Sequence, residues 1–307
     1  MKIIITAVFE KEGIDRLREA HEVDYMPKIT QEELKRVVGQ YDALLGRGTC
    51  PVGKDIIDAG SSLRVIATAG VGMNHIDVPY ARSKGIQVIN AAGANAYSVA
   101  ELTICMMLNL LRYVPRATYD IKEKGIYNKS LYMGHEAEGK TLALIGIGAI
   151  GFKVARVCQA MEMKVIAYDP YIKPEVAEEA GIELVGLEGI FRRGDVVSVH
   201  VPLTDETRGM ISRANIALMK DGAYIMNMSR GEIADEEAVA DALETGKLAA
   251  YGTDVINNEP NPGEKIAPSR LLKEPNLVIT PHIGAWTKEA QEKAAMFIAN
   301  RLIETLK

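Results

Sequence analysis

The amino-acid sequence predicts an α/β protein with two domains, each built on a doubly wound parallel sheet. Short apolar segments rich in Val and Ile alternate along the chain with segments of helical periodicity, a pattern typical of parallel strands covered by helices on both faces. The chain has 307 residues, which exceeds the usual size of one hydrophobic core. Two domains are therefore the natural expectation.

The first third of the chain predicts one small sheet. Five apolar segments separated by helical patterns are its expected strands: residues 2–7, 22–25, 43–45, 64–68 and 86–90. A long periodic segment follows at 98–124, with Glu101 near its start, where a carboxylate suits the positive end of a helix dipole. We expect one continuous helix here that bridges the two domains.

The second part of the chain predicts a full dinucleotide-binding sheet. Six further apolar segments are its expected strands: residues 141–145, 164–168, 196–200, 223–226, 249–253 and 277–280. The final segment, 288–307, is amphipathic and has no strand after it, so we expect it to return to the first domain. The predicted domains are therefore 1–98 with 285–307, and 99–284.

A glycine-rich loop lies at the start of the second sheet, in the segment LALIGIGAIGFKVARV. Gly146 allows a tight turn, Gly148 a close approach of the backbone to a pyrophosphate, and Gly151 close packing of a helix on a strand. With Ala149 and Ile150 between them, these glycines predict a Rossmann-type site that holds phosphates at a helix N-terminus.

Asp169 indicates which dinucleotide is bound. It ends the next predicted strand, KVIAYD, where a carboxylate would reach the ribose 2′-hydroxyl. The same charge would repel the 2′-phosphate of NADP, so NAD is the expected cofactor. The alternative interpretation is that Asp169 and Pro170 only begin a turn.

The composition argues against several other classes of protein. Lys and Arg number 36 against 41 Asp and Glu, a formal net charge of -5, so nucleic acid is not an expected partner. Cys50, Cys105 and Cys158 have neither a paired count nor C-x-x-C spacing, which predicts a reducing cytoplasm without disulfides. The five histidines are too scattered for a helix-borne metal site, and no segment predicts a leader or a membrane span.

Three residues of the second half suit a single reaction. Reducing a 2-keto acid requires a cation for its carboxylate and keto oxygen, a proton donor and a hydride source. Arg230, in NMSRGE, can bind a carboxylate through two hydrogen bonds. His282, in TPHIGAWT, can exchange the proton, and Glu259, in TDVINNEP, can fix its tautomer. The alternatives are a surface ion pair for Arg230, an acid at a helix start for Glu259 and a core histidine for His282. The occurrence of all three residues in register favours the catalytic interpretation.

Seven segments together resemble the D-isomer-specific 2-hydroxyacid dehydrogenases over nearly the whole chain. They occur in the family's order: AGVGMNHID (69–77), NAYSVAE (95–101), GIGAIG (146–151), HVPLT (200–204), NMSRGE (227–232), TDVINNEP (253–260) and PHIG (281–284). The resemblance implies a discontinuous, flavodoxin-like substrate domain, a Rossmann NAD-binding domain and an active-site cleft between them that closes on its ligands.

The resemblance also implies roles for individual residues. Arg230 would bind the substrate carboxylate, His282 would be the acid/base, and Glu259 would pair with His282. Backbone amides of the loop Gly70, Val71 and Gly72 would help to hold the carboxylate. The remaining assignments concern the cofactor: Asp254 at the nicotinamide carboxamide, Ser98 near the nicotinamide end, and Pro202 and Thr204 lining the dinucleotide. His200 is expected at a strand end against the cofactor, or in a structural role, and His75 on a surface helix.

The substrate is the least determined property. Arg47, after a strand of the first domain, and Lys129, after the bridging helix, lie where phosphoglycerate dehydrogenases carry cations for phosphate, although both also suit a surface charge. Candidate substrates are D-3-phosphoglycerate and hydroxypyruvate or glyoxylate, with D-lactate or an aromatic 2-keto acid as alternatives. Ile256 and Trp286 depart from the family's usual residues at the pocket wall. A non-enzymatic NADH-sensing protein and a formate or phosphonate dehydrogenase are the other interpretations of this resemblance.

The apolar segment LTICMMLNLL, at residues 102–111, predicts a homodimer, because it exceeds what one helix face buries within a domain.

Overall fold

The computed structural model describes residues 1–48, 50–260 and 263–307, and it divides into two compact units. The first unit contains Met1–Asn95 and Ala285–Lys307, and the second contains Ala96–Gly284. Residues 96–98, expected in the first domain, belong to the second unit because they begin its first helix. Both units are parallel sheets covered by helices, so the predicted fold class is confirmed.

The first unit is a five-stranded parallel sheet in the order β2-β1-β3-β4-β5. Its strands are β1 (Lys2–Ile5), β2 (Glu22–Tyr25), β3 (Ala43–Gly46), β4 (Val65–Thr68) and β5 (Gln87–Asn90). Its helices are α1 (Lys11–Arg18), α2 (Gln31–Val37), α3 (Lys54–Ala59), α4 (Val78–Ser83) and the C-terminal α12 (Lys288–Thr305). Ile3 and Ile5 face the core that α12 covers, whereas Ile4 faces the core under α2 and α3, because side chains alternate along a strand.

The second unit is a seven-stranded parallel sheet in the order β12-β11-β10-β9-β6-β7-β8. Its strands are β6 (Thr141–Ile145), β7 (Lys164–Tyr168), β8 (Glu183–Leu184), β9 (Val196–Val199), β10 (Ala223–Asn227), β11 (Leu248–Thr253) and β12 (Leu277–Ile279). Its helices are α5 (Ala96–Arg112), α6 (Val114–Lys124), α7 (Gly151–Ala160), α8 (Pro174–Glu179), α9 (Leu187–Arg193), α10 (Arg213–Ala217) and α11 (Glu236–Glu244). The sequence predicts six strands and misses β8, whose two residues are too short to show an apolar pattern.

The predicted continuous helix at 98–124 is wrong. Tyr113 takes a left-handed backbone conformation with φ 55°, which ends α5 and begins α6. Pro115, at the start of α6, has no N–H to donate into the preceding turn, and its ring would clash with a carbonyl there. The carbonyl of Leu111 accepts instead from the backbone N–H of His135, at 2.9 Å.

The expected surface helix at His75 is also wrong. His75 lies in a turn before α4, and its carbonyl accepts from the backbone N–H of Val52 at 2.7 Å. The turn is needed because Asp77 caps the helix that starts at Val78. Burial lowers the pKa of the His75 imidazole.

Candidate active site

The sheet order of the second unit gathers the predicted residues at one edge. In a parallel sheet all carboxyl ends of the strands lie on the same side, and ligands of open α/β sheets bind there. The glycine loop follows β6, His200 follows β9, Arg230 follows β10, Asp254 follows β11 and His282 follows β12. These five strands are consecutive neighbours in the sheet, so side chains far apart in sequence share this edge.

The glycine loop has the geometry that a dinucleotide requires. Gly146 has φ 90°, and an added Cβ would lie 2.9 Å from the carbonyl oxygen of His200. A Cβ on Gly151 would lie 2.4 Å from the Gly146 oxygen, so helix α7 could not approach the turn with any larger residue. A Cβ on Gly148 meets nothing within 4 Å. The space beside Gly148 is therefore free for a ligand, as a pyrophosphate site needs.

Asp169 lies at the end of β7 and holds this loop. Its Oδ2 accepts from the backbone N–H of Ile147 at 3.0 Å, and its Oδ1 accepts from the backbone N–H of Tyr171 at 3.0 Å. Asp169 therefore begins a turn, as the alternative interpretation holds, and also ties that turn to the glycine loop. Each carboxylate oxygen accepts more than one hydrogen bond, so a ribose hydroxyl could still bind.

His282 and Glu259 form a pair. The Nδ1 of His282 lies 2.8 Å from Oε2 of Glu259, and both side chains are partly exposed, at 46% and 36%. With the carboxylate as acceptor, Nδ1 carries the hydrogen and Nε2 is left for another partner. His282 has φ 55°, a left-handed conformation that is unusual for a residue other than glycine.

The carboxylate of Asp254 braces the loop that carries His282. Its Oδ1 accepts from Thr280 Oγ1 at 2.6 Å and from the backbone N–H of Ile283 at 2.8 Å, and its Oδ2 accepts from Gly284 N at 2.7 Å. Ser98 Oγ donates to the Gly284 carbonyl at 2.6 Å. Both residues are buried, and the sequence assigned them only to the nicotinamide. Their loop-bracing contacts depend on strand order and were not predictable from spacing.

Arg230 lies in a turn that its own neighbours fix. Asn227 Nδ2 donates to the Arg230 carbonyl at 2.8 Å, and Arg230 Nη1 donates to the Ser229 carbonyl at 2.6 Å. Within 1–48, 50–260 and 263–307, no carboxylate lies within salt-bridge distance of this guanidinium. Its charge is therefore available for an anionic ligand. Among the described residues, Arg230 does not form the surface ion pair of the alternative interpretation.

Gly231 and Glu236 connect the Arg230 turn to the segment that leads to Glu259. A Cβ on Gly231 would lie 2.0 Å from the carbonyl carbon of Ile256, so the two backbones touch directly. Glu236 Oε1 accepts from the backbone N–H of Asn257 at 2.7 Å. Burial raises the pKa of Glu236. Sequence reasoning misses the role of both residues, although a glycine directly after the predicted carboxylate-binding arginine is a signal for a close backbone approach.

His200 is the second histidine at this edge, and it is half-buried. Its Nε2 lies 2.9 Å from Ser198 Oγ, and burial lowers its pKa to about 4. The ring of His200 is therefore neutral at pH 7. Pro202 and Thr204 follow in a turn closed by Thr207, whose Oγ1 donates to the Pro202 carbonyl at 2.7 Å and accepts from Thr204 N at 2.8 Å.

The predicted substrate residues Arg47, Gly70, Val71 and Gly72 lie in the first unit. The loop of Gly70, Val71 and Gly72 follows β4, and Asn90 Nδ2 donates to the Val71 carbonyl at 2.6 Å. Arg47 follows the neighbouring strand β3. Trp286 is 69% exposed and also belongs to the first unit, whereas Lys129 begins an exposed 3-10 turn of the second.

The described residues contain neither a metal cluster nor a helix suited to a membrane. Among them, no group of three or more His, Cys, Asp or Glu side chains could hold a metal ion. No helix in the same ranges combines the length and the apolar character that crossing a membrane would require.

The chain is similar to known proteins along its whole length. Residues 104–284 match the model of the D-isomer specific 2-hydroxyacid dehydrogenase NAD-binding domain. The chain is 42% identical to a hydroxypyruvate reductase of Thermotoga maritima, over 99% of this chain and 98% of that protein. It is 40% identical to a D-3-phosphoglycerate dehydrogenase of Archaeoglobus fulgidus over its full length, but it spans only 58% of that relative.

A solved structure extends this similarity. The D-lactate dehydrogenase of Aquifex aeolicus complexed with NAD and lactic acid superposes with a TM-score of 0.81, at 29% identity, covering 100% of this chain and 94% of that chain. The family resemblance and the NAD cofactor predicted from the sequence are confirmed. The chain thus belongs to the D-isomer specific 2-hydroxyacid dehydrogenase family, with the family's NAD-binding domain in its second unit.

Proposed function

We propose that this chain is an NAD-dependent oxidoreductase that interconverts a D-2-hydroxy acid and its 2-keto acid. The observation that carries the proposal is the pairing of His282 with Glu259 at 2.8 Å, at the same sheet edge as the glycine loop and the unpaired charge of Arg230. A protein that only senses NADH has no need for an oriented histidine at the same sheet edge as an available cation.

Arg230, His282 and Glu259 have distinct tasks in keto-acid reduction. Arg230 binds the substrate carboxylate and polarises the keto oxygen. His282 donates the proton from Nε2 to that oxygen, and Glu259 stabilises the imidazolium before the proton leaves. Bound NADH supplies the hydride that goes to the 2-carbon. The keto acid gains one hydride and one proton, which gives the hydroxy acid and NAD, and the reverse reaction returns the proton to His282.

The substrates to be tested are chosen from the names of similar proteins. Similar proteins are called hydroxypyruvate reductase and D-3-phosphoglycerate dehydrogenase, and structures of similar fold are called glyoxylate reductase and D-lactate dehydrogenase. A panel of NADH oxidation with hydroxypyruvate, glyoxylate, pyruvate and phenylpyruvate, beside NAD reduction with D-3-phosphoglycerate, tests the proposal. Turnover of at least one acid is expected. NADH binding without any turnover would instead favour a sensing protein.

We propose that residues of the first unit bind the substrate. Gly70, Val71 and Gly72 would donate backbone N–H groups to its carboxylate, and Arg47 would lie toward its side chain. Their positions after the adjacent strands β3 and β4 support this assignment, because ligands of α/β sheets bind at the carboxyl ends of strands.

We propose that the cofactor is held by the second unit. The residues of the glycine loop would hold the pyrophosphate: Gly146, Gly148, Ala149, Ile150 and Gly151. Near it, Ser98, Pro202, Thr204, His200 and Asp254 would surround the rest of the cofactor.

Asp169 is proposed to select NAD over NADP. Replacing Asp169 with Asn keeps one acceptor oxygen for the glycine loop but removes the charge and weakens the contact to the ribose 2′-hydroxyl. We expect the ratio of kcat/KM for NADH to that for NADPH to fall about 10-fold, the effect of one charge-assisted hydrogen bond. Steady-state kinetics with both cofactors measures this ratio. Glu175→Gln, which removes an exposed carboxylate of α8, is the control, and equal losses with both cofactors would reject the selective role.

A homodimer is proposed, on a surface of the second unit that includes part of the predicted segment 102–111. Half of the predicted segment is buried within its own unit, including Met106, Met107, Leu110 and Leu111. Large apolar side chains are exposed from Leu108 of this segment to the residue that follows the 3-10 turn after α6: Leu108, Val114, Tyr119, Ile121, Ile126, Tyr127, Leu131 and Met133. Their concentration in one stretch of chain supports a contact surface for a second copy.

Light scattering at micromolar concentration tests the dimer. The expected mass is twice 33.5 kDa. Ile121→Asp and Leu131→Asp together should lower it to one chain, because burying two unpaired carboxylates opposes association. Val176→Asp places the same charge at an exposed position of α8 and should leave the mass unchanged. A monomeric parent chain would reject the proposal.

The compartment is proposed to be the cytoplasm. Cys50, Cys105 and Cys158 are all free thiols, and Cys158 is buried with its pKa raised to about 12. A reducing compartment suits three unpaired thiols. Fractionation of cells followed by detection of the chain would test this assignment, and recovery in an oxidising compartment would contradict it.

A further inference from the structure

Arg47 lies at the edge of the first sheet where a ligand would bind. It directly follows β3, whose last residue, Gly46, pairs with Thr68 of β4. The backbone N–H of Ala69 donates to the Gly46 carbonyl at 3.2 Å, so the chain leading to Gly70 starts beside Arg47. A cation in this place can reach the side chain of a substrate whose carboxylate the Gly70 loop holds.

The charge of Arg47 is already compensated within the same unit. Its Nη2 lies 3.1 Å from Oε2 of Glu10, and the two side chains are only 19% and 22% exposed. Its Nη1 donates to Oε1 of Gln291, whose Nε2 in turn donates to the Ala285 carbonyl at 2.7 Å. Of the acidic residues that the structure describes, Glu10 is the one within salt-bridge distance of Arg47.

This pairing has a consequence for selectivity. Glu10 and Arg47 together carry no net charge, and the low exposure of both side chains reduces screening by water. A phosphate group that approaches Arg47 meets a guanidinium already neutralised and a carboxylate that repels it. A neutral hydroxyl or a hydrogen atom in the same place meets no such repulsion. The ion pair therefore distinguishes substrates by the charge of their side chain.

We propose that Glu10 is a specificity-determining residue that directs this chain to 2-keto acids whose side chain carries no second negative charge, such as hydroxypyruvate and glyoxylate. The proposal rests on the proposed function. It assigns Arg47 a role opposite to the phosphate recognition that the sequence suggests, because the sequence does not reveal the contact with Glu10. Glu10 lies after β1 and Arg47 after β3, which are neighbours in the sheet but distant in sequence.

The matched substrates for the test are hydroxypyruvate and its 3-phospho ester, both reduced with NADH. In the parent chain, kcat/KM for hydroxypyruvate should exceed that for the phosphorylated acid by about 10-fold or more. Glu10→Gln keeps an oxygen for Arg47 and removes the charge. It should raise kcat/KM for the phosphorylated acid about 10-fold relative to hydroxypyruvate, the effect of one charge-assisted hydrogen bond between Arg47 and phosphate. Glu12→Gln removes an exposed carboxylate two residues away and should leave the ratio unchanged.

A second readout does not depend on turnover. Millimolar inorganic phosphate should raise the thermal unfolding midpoint of Glu10→Gln more than that of the parent chain, because phosphate stabilises the state that binds it. Hydroxypyruvate turnover with an unchanged ratio in Glu10→Gln would overturn the inference and leave the proposed function intact. Absence of turnover for every acid would instead overturn the proposed function. If Glu10→Gln does not fold, the two kcat/KM values of the parent chain test the inference. A kcat/KM for the phosphorylated acid that equals or exceeds that for hydroxypyruvate would overturn the role of Glu10.

Discussion

Replacing His282 with Gln should lower kcat for keto-acid reduction by about 10²- to 10⁴-fold, the usual contribution of a positioned proton donor. Gln can accept a hydrogen bond but cannot release a proton near neutral pH, so the developing alkoxide would take its proton from water. NADH binding should change little. Asp169 is hydrogen-bonded to the glycine loop, whereas the side chain of His282 is hydrogen-bonded to Glu259, so the substitution leaves the loop contacts intact. Stopped-flow measurement of hydride transfer, beside NADH fluorescence for binding, measures the two effects separately.

His135→Gln is the matched control. His135 is an exposed histidine of the same unit whose ring packs edge-on against Tyr224, at 6.5 Å between centroids. It should retain the parent kcat. Glu259→Gln should give a smaller loss than His282→Gln, because the histidine remains but its Nδ1 no longer faces a carboxylate. A chain in which His282→Gln turns over as fast as the parent would exclude His282 as the proton donor.

Gly231→Ala should reduce kcat/KM by about 100-fold although Gly231 has no side chain to offer. The added Cβ would lie 2.0 Å from the carbonyl carbon of Ile256 and 2.4 Å from Asn257 N, so backbone must move. The movement displaces the segment that leads to Glu259 relative to the Arg230 turn. A misplacement of about 1 Å can cost about 10²-fold in rate. The thermal unfolding midpoint should also fall, since overpacking costs about 1–3 kcal/mol.

Gly186→Ala separates the contact from the general effect of removing a glycine. A Cβ at Gly186 meets nothing within 4 Å, and its backbone is extended, so activity should be retained. Gly186 is the N-cap of α9, so any loss of stability should come from the cap alone and stay below that of Gly231→Ala. Kinetics and calorimetry of the two variants together make the comparison. Parent-like kinetics in Gly231→Ala would contradict this prediction. Such a result would show that activity does not depend on the close contact between the Arg230 turn and the segment that leads to Glu259.

The residues that the sequence identified are those whose signal is local. The glycine loop is contiguous, and its steric requirements at Gly146 and Gly151 can be read from a short segment. Arg230, Glu259 and His282 each lie in a recognisable segment, and the alternation of strands and helices places all three after parallel strands. For these reasons the fold class and the candidate catalytic groups could be predicted from the sequence alone.

The missed features depend on contacts between distant segments. The pairing of Glu10 with Arg47 requires knowledge that β1 and β3 are adjacent, and the contact of Gly231 with Ile256 requires the order of β10 and β11. The break at Tyr113 was missed for another reason. Apolar periodicity continues through it, so the pattern alone favours one helix, and the exclusion of Pro115 from a helix interior decides the outcome.

The left-handed backbone of His282 bears on any attempt to redesign this chain. A residue with a Cβ is disfavoured in that conformation, and it persists where surrounding contacts over-determine it, here the three hydrogen bonds of Asp254 to residues 280–284. Glycine or asparagine would suit the backbone better. A procedure that scored substitutions by folding stability alone would therefore favour replacing the proposed proton donor. Thermostable variants of this chain are best selected with position 282 held fixed, because folding stability and the proposed proton transfer make opposite demands on His282.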